Sequence, residues 1–103
     1  MMDRVTVSSL FDVYGGLLTE KQQLMLDLYC NEDLSLAEIS ENVGITRQGV
    51  RDAVNKAVKI LDDAEEKLHI NEKNQKITTL IKEIIDTTTD KNTAAIAKEI
   101  ISL

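Results

Sequence analysis

Apolar residues recur at three- and four-residue steps along almost the whole 103-residue chain, and no stretch alternates over the length of a strand. In RVTVSSLFDVY (4–14), Val5, Leu10, Phe11 and Tyr14 fall near one another on a helix that Gly15–Gly16 ends. Thr19 and Gln22 have capping-box spacing and open EKQQLMLDLYC (20–30), whose stripe is Leu24, Met25, Leu28 and Tyr29. The acidic turn Asn31-Glu32-Asp33 leads to a second capping box, Ser35 with Glu38, on a two-turn helix with Leu36, Ile39 and Val43 along one side. Gly44 stands where a helix end favours a residue that tolerates positive φ. Small Ser40, four residues earlier, leaves room for a helix crossing closely. Thr46 caps a further helix with Val50, Ala53, Val54, Ala57 and Leu61 on its inner face. Cap, stripe, glycine and new cap come in the order of a helix-turn-helix.

That helix meets no stop signal until His69, Ile70 and Asn71, a run of about 24 residues or roughly 36 Å. Val50, Val54, Ala57, Leu61, Ala64 and Leu68 form a heptad seam along it. Asn71 is placed to cap a helix over 72–88 with Ile77, Leu80, Ile81, Ile84 and Ile85 on one side, fraying at Thr87-Thr88-Thr89. Asn92 or Thr93 caps a last helix, 94–102, with Ile96, Ile100 and Ile101 inward. The fold class is therefore all-α: a tri-helical helix-turn-helix core in which the helix 20–30 buttresses the pair behind it, a long recognition helix, and two further C-terminal helices. The expected division is a helix-turn-helix domain over 1–70 and a helical extension over 71–103. The isoleucine-rich extension is more than the core can cover, and it packs either on the long helix or on a dimer partner.

Composition agrees with this division. Proline is absent and the glycines are confined to positions 15, 16, 44 and 49, so little interrupts long helices. Phe11, Tyr14 and Tyr29 are the only aromatics, which leaves aliphatic side chains to build the core. At this length a chain buries roughly 60–70% of its unfolded surface, enough for a core without metal or disulfide support. A single cysteine, Cys30, allows no intrachain disulfide and suits a reducing compartment. With no apolar run near the ~20 residues of a membrane span, and no signal-peptide pattern, the expected location is the cytoplasm, with no membrane partner.

Charge refines the picture. The formal net value is −6, unlike the basic footprint of most nucleic-acid binders, but it is unevenly spread. Residues 1–34 carry −4, 61–76 carry −2 and 77–103 carry −1, whereas 35–60 carry +1 through Arg47, Arg51, Lys56 and Lys59. The exposed side of the helix from Thr46 offers Thr46, Arg47, Gln48, Arg51, Asn55 and Lys56 as candidate nucleic-acid contacts. Arginine bridges two acceptors on guanine, glutamine or asparagine does the same on adenine, and lysine and threonine suit phosphates. The excess is small, so binding is expected to be weak and salt-sensitive unless a homodimer doubles the contact. Asp62, Asp63, Glu65 and Glu66 make the far part of the helix acidic, which reads as a solvated face.

Catalysis finds no footing. His69 is the only histidine and Cys30 the only cysteine, so neither a histidine-pair metal site nor a zinc-thiolate site forms, and Cys30 lies in an apolar stripe that reads as core. Gly15–Gly16 lacks the spacing and the lysine of a phosphate loop. The reading is a non-enzyme without cofactor or metal.

The string YCNEDLSLAEISENVGITRQGVRDAVNKAVKIL resembles region 4 of bacterial sigma factors, the helix-turn-helix that reads the upstream promoter element. The wording LLTEKQQ, DLSLAEIS and GITRQGVRD resembles, over nearly the whole chain, the YlxM family of small bacterial helix-turn-helix proteins. The sigma resemblance implies major-groove entry at Arg47, Gln48 and Arg51. Asp52 and Ala53 depart from it: Asp52 repels phosphate or selects cytosine, and Ala53 removes a contact. The YlxM resemblance implies a cytoplasmic protein that acts in, or regulates, the signal recognition particle pathway. Two functions follow as expectations. One is a regulatory helix-turn-helix protein binding DNA. The other is an interaction module, or RNA-binding accessory, that contacts a component of the particle without sequence-specific DNA binding.

Overall fold

The computed structural model describes residues 3–103. Six α-helices follow in order: α1 (Arg4–Tyr14), α2 (Glu20–Cys30), α3 (Leu36–Val43), α4 (Arg47–Leu68), α5 (Ile70–Thr87) and α6 (Lys91–Ile101), with a single 3-10 turn, Gly15–Leu17, after α1. No strand occurs among the described residues, and the protein is all-α. Two compact units divide at His69: one made of α1 to α4, the other, Ile70–Leu103, of α5 and α6.

Each helix start in the first unit has a local chemical cause. Asp3 caps α1, its carboxylate accepting from the Thr6 N–H at 2.8 Å and the Thr6 hydroxyl at 3.0 Å. Thr19 and Gln22 close the box on α2, with bonds of 3.2 and 3.0 Å, and Ser35 and Glu38 do the same on α3, both at 3.1 Å. Thr46 Oγ1 accepts from the Gly49 N–H at 3.0 Å and opens α4. Such caps satisfy N–H groups that have no partner within the helix, and each contributes about 1 kcal/mol.

The first unit is organised around α4, which touches α1, α2 and α3. Val50, Val54, Ala57 and Leu61 are buried, joined by Val58. Against them pack Val7, Leu10 and Tyr14 of α1, Leu18, Met25 and Leu26 of α2 and its approach, and Ile39 of α3. The expected tri-helical core thus has a fourth member in α1. Tyr14 is buried, and its hydroxyl donates to Glu65 Oε1 at 2.6 Å, fixing α1 to the far part of α4. Arg4 pairs with Asp33, donates to the Leu34 carbonyl at 3.1 Å and lies 4.2 Å from the centre of the Tyr29 ring. It therefore ties the α2–α3 turn to α1, with Asp33 in the left-handed conformation at φ 54°.

Several expectations are corrected. On α1, Val5 is 81% exposed and Val7 is buried in its place, because 7, 10 and 14 share a side and 5 does not. On α2, Leu24 is 48% exposed whereas Leu26 is buried, since α2 lies against both α1 and α4 and uses two sides. The seam of α4 is covered as far as Leu61, with Ala64 half-buried, but Leu68 is 57% exposed. Cys30 is half-buried rather than fully enclosed, and burial raises its thiol pKa. His69 ends α4 in the left-handed conformation (φ 53°), its N–H bonded to Glu65 O at 2.8 Å, and α5 starts at Ile70. Asn71 accordingly lies inside α5 and does not cap it. The cap of α6 is Asp90, not Asn92 or Thr93: its carboxylate accepts from the Asn92 N–H at 3.1 Å and the Thr93 hydroxyl at 2.8 Å, which puts both inside the helix.

Gly44 ends α3 at φ 79°, ψ 29°. A methyl group built on it would meet nothing within 4 Å, so only the backbone conformation restricts the position. Gly44→Ala is expected to destabilise the protein by about 1–2 kcal/mol and Gly44→Asn by less, as measured by urea unfolding. The Ser35 bonds hold the Glu38 carboxyl below the ordinary glutamate range. Because this folded-state value is depressed, its contribution is complete above the ordinary range and fades as pH falls through the lowered one. Glu38→Gln should keep the cap geometry, as Gln22 does on α2, and make the acid limb of the stability–pH curve shallower; thermal unfolding across the acid range measures this.

Candidate nucleic-acid interface

Two hydrogen bonds and one backbone conformation set the junction of α3 and α4. The Gly44 N–H bonds Ser40 O at 2.9 Å, and the left-handed residue then turns the chain out of the helix. The Ser40 hydroxyl donates to the Ile45 carbonyl, and Ile45 is half-buried. Ser40 is thus a clamp on the turn as well as a small residue at a crossing. At Gly49 a Cβ would lie 3.2 Å from Thr46 Oγ1, a tight contact, and 3.6 Å from Ile45 Cδ1, an ordinary one, so glycine lets the cap close without crowding the Thr46 hydroxyl.

The buried stripe of α4 fixes what the opposite side shows. Arg47, Arg51, Asn55 and Lys59 succeed one another at four-residue steps, and Gln48, Asp52 and Lys56 form the neighbouring row. All seven are exposed, as is Thr46 in front of them. From Arg47 to Lys59 the rows extend roughly 18 Å along the helix. The six side chains singled out in the sequence therefore lie together on one exposed surface. Ala53 is half-buried against the core, so its departure from the sigma-like pattern concerns packing and takes nothing from this surface. Asp52 accepts from Gln48 Nε2 at 2.9 Å, which orients the glutamine amide along the row. Lys59, not among the six, continues the arginine row and pairs with Asp63 at 3.3 Å. A plain four-residue step from Asn55 could have found it.

At the ends of α4 the charge order is mixed: Arg47 in the first turn and Glu65 and Glu66 in the last oppose the helix dipole, while Lys67 in the last turn agrees with it. Arg51, Lys56 and Lys59 lie beyond the reach of the dipole, and with Arg47 they make one exposed cationic surface. On α3, Glu38 and Glu41 are exposed carboxylates.

Other candidate chemistry is sparse. Among the described residues, no group of three or more His, Cys, Asp or Glu side chains is arranged to hold a metal ion. Among the same residues, no helix is long and apolar enough to cross a membrane.

Comparison with known proteins places this architecture. The profile of the UPF0122 family, helix-turn-helix proteins of the YlxM/p13-like kind, matches residues 1–100. A UPF0122 protein of Clostridium kluyveri is 46% identical over 86 residues, which cover 84% of this chain and 78% of that protein. One from Clostridium novyi is 47% identical over 77 residues (75% and 67%), and one from Mycoplasma capricolum is 41% identical over 78 residues (76% and 69%). With its bend at Gly44, its capped α3 and α4 and this match over nearly its full length, the chain belongs to the UPF0122 family of YlxM/p13-like helix-turn-helix proteins.

Proposed function

We propose that this protein is a regulatory helix-turn-helix protein that binds nucleic acid, DNA in the first place, through the exposed surface of α4 from Thr46 to Lys59. One observation carries the reading: four cations, Arg47, Arg51, Lys56 and Lys59, stand together on the surface of α4 that the core keeps outward. A helix about 10–12 Å across suits the major groove, which is about 12 Å wide. In that pose Arg47, Gln48 and Arg51 meet base edges, Thr46 and Lys56 meet phosphates, and Asn55 reaches either. Binding is as a homodimer, which doubles an interaction that a chain of net −6 makes weakly. The YlxM resemblance supports a role in the signal recognition particle pathway of the cytoplasm, with the particle's RNA as the alternative nucleic acid.

A second reading rests on the acidity of the remainder of the first unit. The segment through His69 holds thirteen acidic and seven basic residues, a surface that suits a basic protein of the same particle. Capture from lysate with and without nuclease separates the two readings. Nuclease-sensitive nucleic acid supports the first, and a nuclease-resistant basic protein supports the second.

Arg47→Ala with Arg51→Ala is expected to weaken binding by about 1–3 kcal/mol for each arginine that reads a base. If both residues neutralise phosphates, the slope of log affinity against log salt should also fall by about 2. A low-salt mobility-shift titration measures both, and equal binding by mutant and wild type would remove this surface from the account. Arg47→Glu tests the dipole argument directly. It should raise folding stability by about 0.3–1 kcal/mol at low ionic strength while reducing nucleic-acid binding, as read from paired thermal unfolding and shift titrations.

A further inference from the structure

The unit Ile70–Leu103 is a pair of helices, α5 packed along α6, with Ala97 as its one buried side chain. On α5 and just past its end, the half-buried positions Thr78, Ile81, Ile85 and Thr88 mark the side turned to α6. A second apolar stripe is exposed beside it: Ile77, on the rim of the groove that α5 forms with Ile100 and Ile101, then Ile84 and Leu80, with Leu80 exposed to 60%. A helical pair this small, with large aliphatic residues bare, has too little core of its own, and such stripes mark contact surfaces.

Charge and symmetry say what occupies the stripe. Residues 70–103 contain five lysines and five acidic residues, so this unit is neutral while the whole −6 of the chain lies in residues 1–69. A neutral surface does not attract a basic or an acidic partner, and it does not repel its own copy. Lys76 and Glu83 lie seven residues apart on one flank of the stripe, as Ile77 and Ile84 lie seven apart within it. Antiparallel pairing about a two-fold axis at Leu80 then sets Ile77 beside Ile84, Leu80 beside Leu80, and Lys76 beside Glu83, with the first and last pairings made twice. Such self-complementarity is what an isologous interface requires. We propose that Ile77, Leu80 and Ile84 on α5 seat a second copy of this chain, antiparallel across a two-fold axis at Leu80. The proposal rests on the dimer of the proposed function and is independent of its nucleic-acid surface.

Sedimentation equilibrium of the full chain tests it, with circular dichroism to check that each variant keeps its helix content. The wild type should be dimeric. Leu80→Glu, at an exposed position, puts two carboxylates on the axis and should raise the dimer Kd by about 100-fold or more. Lys76→Glu or Glu83→Lys alone should raise it by about 10-fold, and the double exchange should restore it. Lys76 also pairs with Glu72 within its own helix, at 3.3 Å, and the double exchange does not restore that pair. Rescue therefore reports on the pairing between copies. A wild type that stays monomeric at millimolar concentration, a Leu80→Glu variant that keeps the wild-type mass, or a double exchange no tighter than the singles overturns the proposal. The variant lacking Arg47 and Arg51 should keep the dimeric mass, so failure of the nucleic-acid reading and failure of this one are seen in different measurements.

Discussion

The side of α4 formed by Val50, Val54, Ala57, Val58 and Leu61 is the surface that α1, α2 and α3 share. Each of these helices is short, and isolated helices of eight to eleven residues are marginal in water, so their order comes from burying apolar residues on a common partner. Valines, an alanine and a leucine give that partner a surface with few rotamers and close approach. The consequence for function is direct. Because five positions of α4 are locked inward, the rows at four-residue steps on its other side have no freedom to rotate. Recognition by hydrogen-bond pairs needs that kind of rigid placement.

What the core makes possible, the electrostatics resist. Arg47 in the first turn of α4 and Glu65 and Glu66 in the last oppose the helix dipole, and Thr46, Gly44 and the Ser40 clamp hold the first turn in spite of Arg47. Asp52 and Asp63 hold Gln48 and Lys59 within their rows. The side chains of Arg47 and Arg51 take part in no hydrogen bond or ion pair among the described residues. On the proposed reading Arg47 is where stability and recognition conflict most, because the charge that weakens the first turn is the charge a phosphate or a guanine would meet.

Much of this was legible in the sequence, for reasons of short range. Ser35 with Glu38, Thr19 with Gln22, Gly44 and Thr46 act on neighbours within three or four residues, so spacing alone finds them, and the helices they delimit agree with the structure to within a residue or two. What escaped depends on distant partners. Val7 and Leu26 are buried because two other helices arrive on their side, and Arg4 binds a turn some thirty residues away. Asp90 escaped for a local reason: three cap-forming residues lie together there, and only geometry shows that the carboxylate reaches both the N–H and the hydroxyl. His69 escaped because a left-handed histidine can close one helix with no glycine to announce it. For the candidate surface, the exposure of all six residues followed from the period of the buried stripe, whereas the role of Asp52 toward Gln48 did not.

The two units divide the physical work in a way that bears on binding. One carries all of the net negative charge together with the cationic rows, and the other is neutral with an apolar stripe. A single copy offers few cations against a repulsive background, so its affinity for a polyanion would be low and would fall steeply with salt. On the proposed reading, joining two copies through the neutral unit would add a second set of cations. Binding would then depend on the dimer equilibrium as well as on the groups that meet the ligand, and a change in protein concentration would shift occupancy more sharply than one site allows. If both proposals hold, the aliphatic stripe on α5 and the arginines on α4 act on the same equilibrium from different parts of the chain, the first through how many surfaces are linked and the second through how strongly each one holds.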